Sequence, residues 1–347
     1  MSTPRLDAML RLLGILTTVL FAIATAVVVW PQFFQLQQTF PFAQLVAVRP
    51  AVLVVLLAIA VVSLLLMFAR PMRGFAASIL IVALLGAAAT GGIGMLRGWG
   101  EGSLPEKDAD SVRVLTWNTA GEAVSAETIA AAILDQEVDV VTLPETAESV
   151  GERIAVMLRE QGHPMWVHHV QFGDVENGPQ AWETTILISP DLGDYSVIES
   201  SEDGTSNTSS VPSAVVMPVS GEGPTIVAVH AVAPRPSAME AWQSDLSWIA
   251  DQCPEGDFIL AGDFNATIDH MAALGVDGGD MGYCRDAATR TGTGMTSTWA
   301  DERMPLVASA PIDHVMASQN WEPTGSLLLD SAGSDHRALV VQLDPAS

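Results

Sequence analysis

Three long apolar runs in the first hundred residues constrain the fold of this chain more than any other feature. They are Leu10–Trp30, Ala51–Phe68 and Phe75–Leu96, separated by short segments rich in Pro, Gln or Arg. At about 1.5 Å per residue, a helix over each run reaches roughly 27 to 33 Å, which matches a hydrocarbon core of about 30 Å. A cleaved signal peptide fits less well, because two further runs follow the first. The sequence therefore predicts three transmembrane helices.

The arginines of this region predict how it is oriented. Four of them flank the first run or fill the connection between the second and third: Arg5, Arg11, Arg70 and Arg73. The positive-inside rule then places the N-terminus in the cytoplasm, and three spans place everything after Arg97 outside. We expect a multi-pass protein of the cytoplasmic membrane. Its membrane domain covers residues 1–97, a linker covers 98–110, and an extracytoplasmic domain covers 111–347.

The negative charge of the chain is concentrated after residue 100. The chain has 15 bases and 40 acids, of which residues 1–100 contain six and one. Residues 101–347 therefore carry a formal net charge of 9 − 39 = −30. A field of this sign repels phosphate backbones and removes the attraction on which non-specific nucleic-acid binding depends. A nucleic-acid partner is disfavoured for this reason.

Both cysteines of the chain, Cys253 and Cys284, lie in the part assigned to the exterior. In an oxidising compartment they are candidates for a disulfide, and the alternative is two buried free thiols. We favour the disulfide, because nothing near either residue indicates metal ligation or a reactive nucleophile.

Strand and helix patterns alternate in the predicted exterior domain. Helical spacing covers Ala126–Asp135 and Ala147–Gln161, and a capping box of Ser237 and Glu240 predicts a third helix. The stretch Glu199–Ser213 is typical of a loop. Short β-rich runs occupy Val112–Trp117, Val138–Leu143, Thr184–Ser189, Ala214–Val219, Thr225–His230, Phe258–Ala261, Ile312–Met316 and Ala338–Leu343. This alternation predicts an α/β fold.

Polar residues stand at the ends of several of these strands. Taken singly, each is more often a turn former or a structural hydrogen-bonding group than a functional residue. Together they are harder to explain in that way, because strand ends are where α/β folds usually place their chemistry. The residues are Asn118, Glu145, His230, Asp263, Asn265, Asp313, Asp335 and His336.

These residues occur within a series of motifs that resembles the endonuclease/exonuclease/phosphatase superfamily. The motifs span about residues 112–343, and the specific portion is Gly-Asp-Phe-Asn followed some seventy residues later by Ser-Asp-His. They are Trp117-Asn118, Leu143-Pro144-Glu145, the strand-end His230, Gly262-Asp263-Phe264-Asn265, Thr298-Trp299, Ile312-Asp313-His314 and Ser334-Asp335-His336. The resemblance implies a four-layer α/β sandwich, two packed β-sheets flanked by helices, which here follows the three transmembrane helices. It also implies metal-dependent hydrolysis of a phosphate ester.

The resemblance assigns the expected metal ligands. Glu145, helped by Asn118, supplies the oxygen ligands that Mg²⁺ prefers, with Mn²⁺ as the alternative ion. Asp335 assists metal binding. Such a site needs a hard cation because a phosphate ester repels an attacking hydroxide.

The same resemblance implies the catalytic roles. Asp263 orients or deprotonates the attacking water, and Asn265 donates to the phosphoryl oxygens. Asp313 holds the imidazole of His336 in one tautomer and favours its protonated form. His336 and His230 contact the phosphate or assist the leaving group.

Two positions depart from the family pattern. Pro144 replaces the usual Gln before the metal-binding Glu, which removes an amide donor. His314 follows Asp313 where many nuclease members carry an aromatic residue. His230, in place of the Tyr of abasic-site nucleases, favours the phosphatase and phospholipase-like members, although DNase-type members also have a histidine there. A second group of histidines, His163, His168 and His169, matches no ligand spacing and is interpreted as surface or rim residues.

The sequence therefore predicts a membrane-anchored, metal-dependent phosphoesterase. Its expected substrate is a lipid or envelope-associated phosphate ester, because tethering raises the effective concentration of such molecules. One alternative is an extracellular nuclease that scavenges DNA, which the charge disfavours. Another is a non-catalytic envelope scaffold whose domain docks a partner. Whether a monoester or a diester is cleaved, whether one or two metals act and the oligomeric state all stay open.

Overall fold

Two units make up the chain, the first over Met1–Leu96 and the second beginning at Arg97. The structure is a computed structural model that describes residues 4–173, 178–198, 207–301, 303–304, 308–330 and 332–346. Most of the loop predicted at Glu199–Ser213 lies outside the described residues.

The apolar runs form the long helices of the first unit. Its helices are α1 (Pro4–Val29), α2 (Phe42–Ala47), α3 (Arg49–Leu66) and α4 (Arg73–Arg97). The segments Ala8–Val29, Arg49–Leu66 and Arg70–Arg97 are long and apolar enough to cross a membrane. In the most apolar 18 residues of each segment, only 6%, 22% and 28% are buried within the protein, so most of the large apolar side chains face outward. The prediction of three long apolar helices is confirmed. Their exposed apolar surface is too large to be stable in water without a covering partner or a membrane.

Small residues allow these helices to pack closely. A Cβ atom on Gly86 of α4 would lie 2.5 Å from Thr25 Cγ2 and 3.2 Å from Leu56 Cδ1. Close approach at glycine is typical of helices in membranes, where packing replaces the hydrophobic drive.

The second unit contains helices and strands in alternation. Its helices are α5 (Ala126–Asp135), α6 (Glu148–Glu160), α7 (Met239–Asp251), α8 (Ile268–Met271) and α9 (Ala287–Thr291). The strands up to His230 are β1 (Gly102–Ser103), β2 (Val112–Thr116), β3 (Val140–Pro144), β4 (Trp166–Gln171), β5 (Glu183–Ile188), β6 (Tyr195–Val197), β7 (Ala214–Pro218) and β8 (Thr225–His230). The later strands are β9 (Phe258–Asp263), β10 (Arg285–Asp286), β11 (Trp299–Ala300), β12 (Ser309–Ala310), β13 (Asp313–Ala317), β14 (Trp321–Leu328) and β15 (Leu339–Pro345).

Two mixed sheets form the centre of this unit. The first has the order β1-β14-β15-β2-β3-β5-β4, and the second has the order β10-β13-β9-β8-β7-β6. Apolar residues of both sheets, among them Val114, Ile186, Ile226 and Val315, form one buried core. A second core joins the first sheet to α5 and α6, with Ile129 and Ile154 fully buried. The predicted two-sheet sandwich flanked by helices is confirmed.

Some predicted elements differ from the structure. The predicted strands end within one or two residues of the observed ones, but β4, β6 and β14 were not predicted. Strand β14 contains Pro323 and Gly325 at a register shift, which hides its alternation of apolar and polar residues. The capping box predicted at Ser237 is wrong, because α7 begins after Ala238 and no described side chain caps it.

Two of the three histidines interpreted as surface or rim residues lie in a strand. His168 and His169 are part of β4 and are half-buried, because this strand pairs with β5 at the edge of the first sheet. His169 Nδ1 lies 3.0 Å from Thr185 Oγ1. His163 contacts the carbonyl of Val138 at 2.9 Å, before the start of β3. The two strand histidines are therefore edge-strand residues, more buried than the surface part of that interpretation implies.

The segment 98–110 adds to the first sheet. Its strand β1 pairs with Ser326 and Leu327 of β14. The backbone N–H of Leu328 also donates to the carbonyl of Glu101 at 3.0 Å. The segment predicted as a linker is thus held by backbone hydrogen bonds within the second unit.

The predicted disulfide is present between Cys253, after α7, and Cys284, before β10. The two Cα atoms are 5.9 Å apart, and the bond closes a loop of 31 residues. A loop of that length lowers the entropy of the unfolded chain enough to stabilise the fold by about 3–4 kcal/mol.

Replacing both cysteines, Cys253→Ser with Cys284→Ser, is expected to lower the free energy of unfolding by about 3–4 kcal/mol. Thermal unfolding of the full chain in detergent, compared with the wild type with and without reductant, measures this. The reduced wild type should unfold at the same temperature as the double variant. Equal stability of the oxidised wild type and the variant would contradict the prediction.

Candidate active site

Polar side chains from both sheets meet at one edge of the second unit. In the first sheet, Asn118 follows β2 and Glu145 follows β3, and these strands run parallel. In the second sheet, His230 ends β8 and Asp263 ends β9, which also run parallel. Asn118 Nδ2 donates to Asp263 Oδ2 at 3.1 Å and so joins the two sheets. Four of the predicted residues therefore lie in one site.

Asp313, His336 and Asp263 form a buried row in this site. Asp313 opens β13 directly opposite Asp263, and its Oδ2 lies 2.8 Å from His336 Nδ1. His336 Nε2 lies 3.8 Å from Asp263 Oδ2. Burial alone would lower the pKa of His336, but the charges of Asp313 and Asp263 outweigh burial and raise it. Burial and the charge of Asp313 raise the pKa of Asp263. The row thus contains a protonated imidazole and a carboxyl group that binds a proton more readily than usual.

Glu145 and His230 form the second half of the site. Glu145 Oε1 accepts from Asn118 Nδ2 at 3.1 Å and lies 3.8 Å from His230 Nε2. The side chain of Glu145 is 28% exposed, whereas that of His230 is 3% exposed, so the site opens to solvent beside Glu145. Burial, together with the charge of His336, lowers the pKa of His230 to about 3. This ring is therefore neutral and can both donate and accept one hydrogen bond.

Asn265 is fixed by several hydrogen bonds next to Asp263. Its Nδ2 donates to Ala231 O at 2.9 Å and to Asp263 Oδ2 at 3.2 Å. Its backbone N–H donates to Asp263 Oδ1 at 2.8 Å, and its carbonyl accepts from Trp242 Nε1 at 3.0 Å. The residue has φ +46°, and Glu145 has φ +59°. Left-handed backbone at non-glycine residues costs free energy and is often found at functional sites.

Two of the predicted metal ligands are in contact with each other, and the third is hydrogen-bonded to a tryptophan. Asn118 and Glu145 are in contact, but Asn118 directs its amide nitrogen to the carboxylates while its oxygen accepts from Ala120 N at 3.0 Å. Asn118 can therefore act as an oxygen ligand only after its amide turns over. Asp335 Oδ2 instead accepts from Trp299 Nε1 at 2.9 Å.

The donor atoms of this site fit a divalent cation. Asp263, Asp313 and His336 each have a ligand atom within 4.8 Å of the others, the one such group found among the described residues, and His336 could bind a cation only after losing its proton. Buried Asp313 Oδ1 and His230 Nδ1 have no hydrogen-bond partner in the described part of the chain, so the site has unused polar capacity. A set rich in carboxylate oxygens suits Mg²⁺ or Mn²⁺ better than a soft metal.

Hydroxyl groups hold the backbone of this site in place. Ser334 Oγ donates to Asn118 O at 2.8 Å and accepts from His336 N at 2.9 Å. Thr298 Oγ1 accepts from the backbone N–H groups of Ile312 and Asp313, both at 3.0 Å. Both residues belong to the sequence motifs, but their residue types alone indicate no role. They position the backbone that carries Asn118, Asp313 and His336, and they were detectable only as neighbours of the charged residues.

A buried ion pair, His314 with Asp286, lies directly behind the site. His314 Nδ1 lies 2.8 Å from Asp286 Oδ1, and its Nε2 lies 2.9 Å from Ala266 O. Both partners are acceptors, so the ring carries protons on both nitrogens. Asp286 also accepts from Thr289 N as the N-cap of α9. His314 is therefore a structural residue that connects β13, the end of β10 and the loop after β9, and Asp286 gave no signal in the sequence.

Asp286→Asn is expected to destabilise the second unit by about 3–5 kcal/mol, because it leaves a buried charge unpaired. Burial alone would lower the pKa of His314, but Asp286 outweighs burial and raises it. Burial alone would raise the pKa of Asp286, but His314 outweighs burial and lowers it. The stabilisation that comes from the charge of His314 is fully present below about pH 6.5 and is lost as pH rises through the raised pKa of His314 in the folded protein. The stabilisation that comes from the charge of Asp286 is fully present above about pH 4 and is lost as pH falls through the lowered pKa of Asp286 in the folded protein.

Thermal unfolding of wild type and variant between pH 4 and 9 measures this difference. The gap in unfolding temperature should be widest near about pH 5–6 and should narrow on both sides. Exposed Asp251, at the end of α7, provides the control variant Asp251→Asn, which should unfold like the wild type. A gap that does not change with pH would contradict the ion-pair interpretation.

Comparison with protein families gives one match. The model described as the Endonuclease/Exonuclease/phosphatase family matches residues 115–336. This range contains all of the second sheet and, from the first sheet, β3, β4, β5, β14 and the last two residues of β2, whereas β1 and β15 lie outside it. A comparison with curated protein sequences finds no match.

Several solved structures share the fold of the second unit. Humanized D. rerio TDP2 is 15% identical with a TM-score of 0.51, and the match covers 68% of this chain and 100% of that one. A family protein from Leptotrichia buccalis C-1013-b is 13% identical with a TM-score of 0.50, covering 67% and 99%. TDP2 from C. elegans is 15% identical with a TM-score of 0.50, covering 83% and 92%. At these identities the likeness shows the fold alone.

Proposed function

This chain belongs to the endonuclease/exonuclease/phosphatase family, and we propose from that premise that it is a membrane-anchored, divalent-metal-dependent phosphoesterase acting outside the cytoplasmic membrane. The observation that carries the proposal is the row of Asp313, His336 and Asp263 beside Asn118 and Glu145. Hydrolysis of a phosphate ester requires a proton acceptor, a proton donor and neutralisation of charge, and this arrangement offers all three.

The proton acceptor and donor follow from the buried row. Water attacks the phosphorus atom and gives its proton to Asp263, whose raised pKa suits it to accept one. The bond from phosphorus to the leaving oxygen breaks, and that oxygen takes a proton from His336 Nε2. Asp313 keeps His336 protonated and oriented through Nδ1. His336 Nε2 and Asp263 Oδ2 are 3.8 Å apart, so both atoms can reach the oxygens of one phosphate group.

The remaining residues bind the phosphoryl oxygens and a cation. The neutral ring of His230 is a hydrogen-bond donor for these oxygens, and the Asn265 amide becomes a second donor when it exchanges its hydrogen bond to Asp263 Oδ2 for one to the phosphate. Glu145, with Asn118 in its other amide orientation, would hold Mg²⁺ or Mn²⁺. Such an ion supplies positive charge toward the phosphoryl oxygens. Asp335, which accepts a hydrogen bond from Trp299, is a candidate for a further ligand.

The location and the substrate class are supported by the first unit and by the disulfide. Three helices can cross a membrane, and the arginine distribution favours an exterior second unit. The Cys253–Cys284 disulfide is typical of an oxidising compartment. A net charge of −30 disfavours a polyanion such as DNA, so a lipid or envelope-associated phosphate ester is the substrate class we propose.

Hydrolysis of a chromogenic phosphodiester and its monoester by the full chain in detergent tests the activity. We expect turnover with Mg²⁺ or Mn²⁺ that a chelator abolishes. Turnover unchanged by chelator would contradict metal dependence. Extracted envelope lipids and single-stranded DNA, offered to the same preparation, test the substrate class. Faster cleavage of DNA than of any lipid would favour the nuclease alternative.

A further inference from the structure

A groove lies between α1 and α4 of the first unit. Its volume is about 620 Å³, and one end is lined by Arg11 and Pro71. From there it runs past Gly14 and Gly74 to Val19 and Ser78. At 1.5 Å per residue the distance from Arg11 to Val19 is roughly 12 Å along the helix. The groove therefore has a charged end and a long body.

The body of the groove is apolar although two hydroxyl residues line it. Thr18 Oγ1 donates to Gly14 O at 2.9 Å, and Ser78 Oγ donates to Gly74 O at 3.1 Å. Both hydroxyls are satisfied by their own helix, so they make no demand on a ligand. A Cβ atom at Gly74 would have nothing within 4 Å, so this glycine borders open space. A hydrocarbon chain suits such walls.

The charged end of the groove has an excess of positive charge. Arg11 lines the groove, and Arg70 and Arg73 are exposed on either side of Pro71. Arg73 Nε donates to Met67 O at 3.0 Å, which leaves its other nitrogens toward the surface. Residues 1–100 contain a single acid, Asp7, against the arginines at this end. Basic pockets between membrane helices bind anionic lipid head groups.

We propose that this groove binds one anionic phospholipid. The head-group phosphate contacts Arg11 with Arg70 and Arg73 nearby, and an acyl chain occupies the body between Gly14 and Gly74. The site is independent of the phosphoesterase site, since it belongs entirely to the first unit. It gives the membrane unit a lipid preference of its own.

Native mass spectrometry of the full chain in detergent tests the proposal, with phosphatidylglycerol and phosphatidylcholine as probes. We expect the first phosphatidylglycerol to bind at least about fivefold more tightly than phosphatidylcholine, the effect of about one arginine. Arg11→Gln should reduce this preference by about fivefold. Equal retention of the two lipids by the wild type would overturn the proposal.

A variant that fills the groove distinguishes lipid binding in the groove from non-specific lipid binding to the helices. Gly74→Leu places a side chain in the groove and should weaken the first binding event for both lipids by about tenfold or more. Gly91→Leu on the same helix is the matched control, because its Cβ would also meet nothing within 4 Å and Gly91 does not line the groove. The control should bind like the wild type. Equal loss of lipid binding in both variants would overturn the proposal.

Discussion

His336→Ala is expected to lower kcat for a chromogenic phosphodiester by about 10³-fold or more, with a smaller change in KM. In the proposed mechanism the imidazole donates the proton to the leaving oxygen, and its positive charge stabilises the reacting phosphate. No described side chain can replace it, because His230 is neutral with a pKa of about 3. Steady-state kinetics of the full chain in detergent with Mg²⁺ measures the effect.

A second variant tests whether Asp313 acts through His336. Asp313→Asn retains the shape of the side chain but removes the charge 2.8 Å from His336 Nδ1. We expect a loss of about 10²-fold or more, and we expect the double variant to lose little beyond His336→Ala alone, because residues that act as a unit are not additive. Additive losses would show that the two residues act separately. His163→Ala, which removes a histidine beside Val138 before the start of β3, is the control and should keep normal kcat.

The second large effect concerns Glu145. Glu145→Gln keeps the size of the side chain and removes the charged oxygen that would hold the cation. Activity at saturating metal should fall by about 10³-fold. Metal binding gives an independent readout, since a ligand at 100 times its Kd stabilises a protein by about 2.7 kcal/mol. For a unit of this size, Mg²⁺ should raise the unfolding temperature by about 5–10 °C, and the variant should lose that shift.

Glu160→Gln is the matched control for this variant. Glu160 is exposed at the end of α6, so its replacement should alter neither the metal-induced shift nor the activity. A normal metal-induced shift in Glu145→Gln would mean that the cation is held elsewhere, with the group of Asp263, Asp313 and His336 as the next candidate. Loss of activity with an unchanged shift would assign Glu145 to catalysis and not to metal binding.

Much of the fold could be predicted from local sequence patterns. The three apolar helices follow from run length alone, and β8 was predicted with its observed bounds because Thr225–His230 is a continuous run of strand-forming residues. Strand β14 was missed because Pro323 and Gly325 interrupt its pattern, and its identity depends on pairing with β15. Edge strand β4 was missed because two adjacent histidines interrupt its alternation of apolar and polar side chains.

The candidate site could be predicted as a set of residues but not as an arrangement. Motif order indicated Asp263, Asp313 and His336, and the structure brings them together. The order of the motifs could not show that Asn118 directs its nitrogen to both carboxylates or that Trp299 holds Asp335, because these contacts join residues far apart in sequence. His314 illustrates the same limit, since its role depends on Asp286, which belongs to no motif.

The left-handed backbone at Glu145 and Asn265 implies a trade-off between stability and function. Each non-glycine residue in this conformation makes the folded state less stable by about 1 kcal/mol or more. Glycine at position 145 would relieve this cost and remove the carboxylate. Selection for thermostability alone should therefore replace these two residues early and lose the activity with them. A population evolved only for expression would drift toward a stable, inactive domain, so retention of both residues in a laboratory lineage would itself report selection for function.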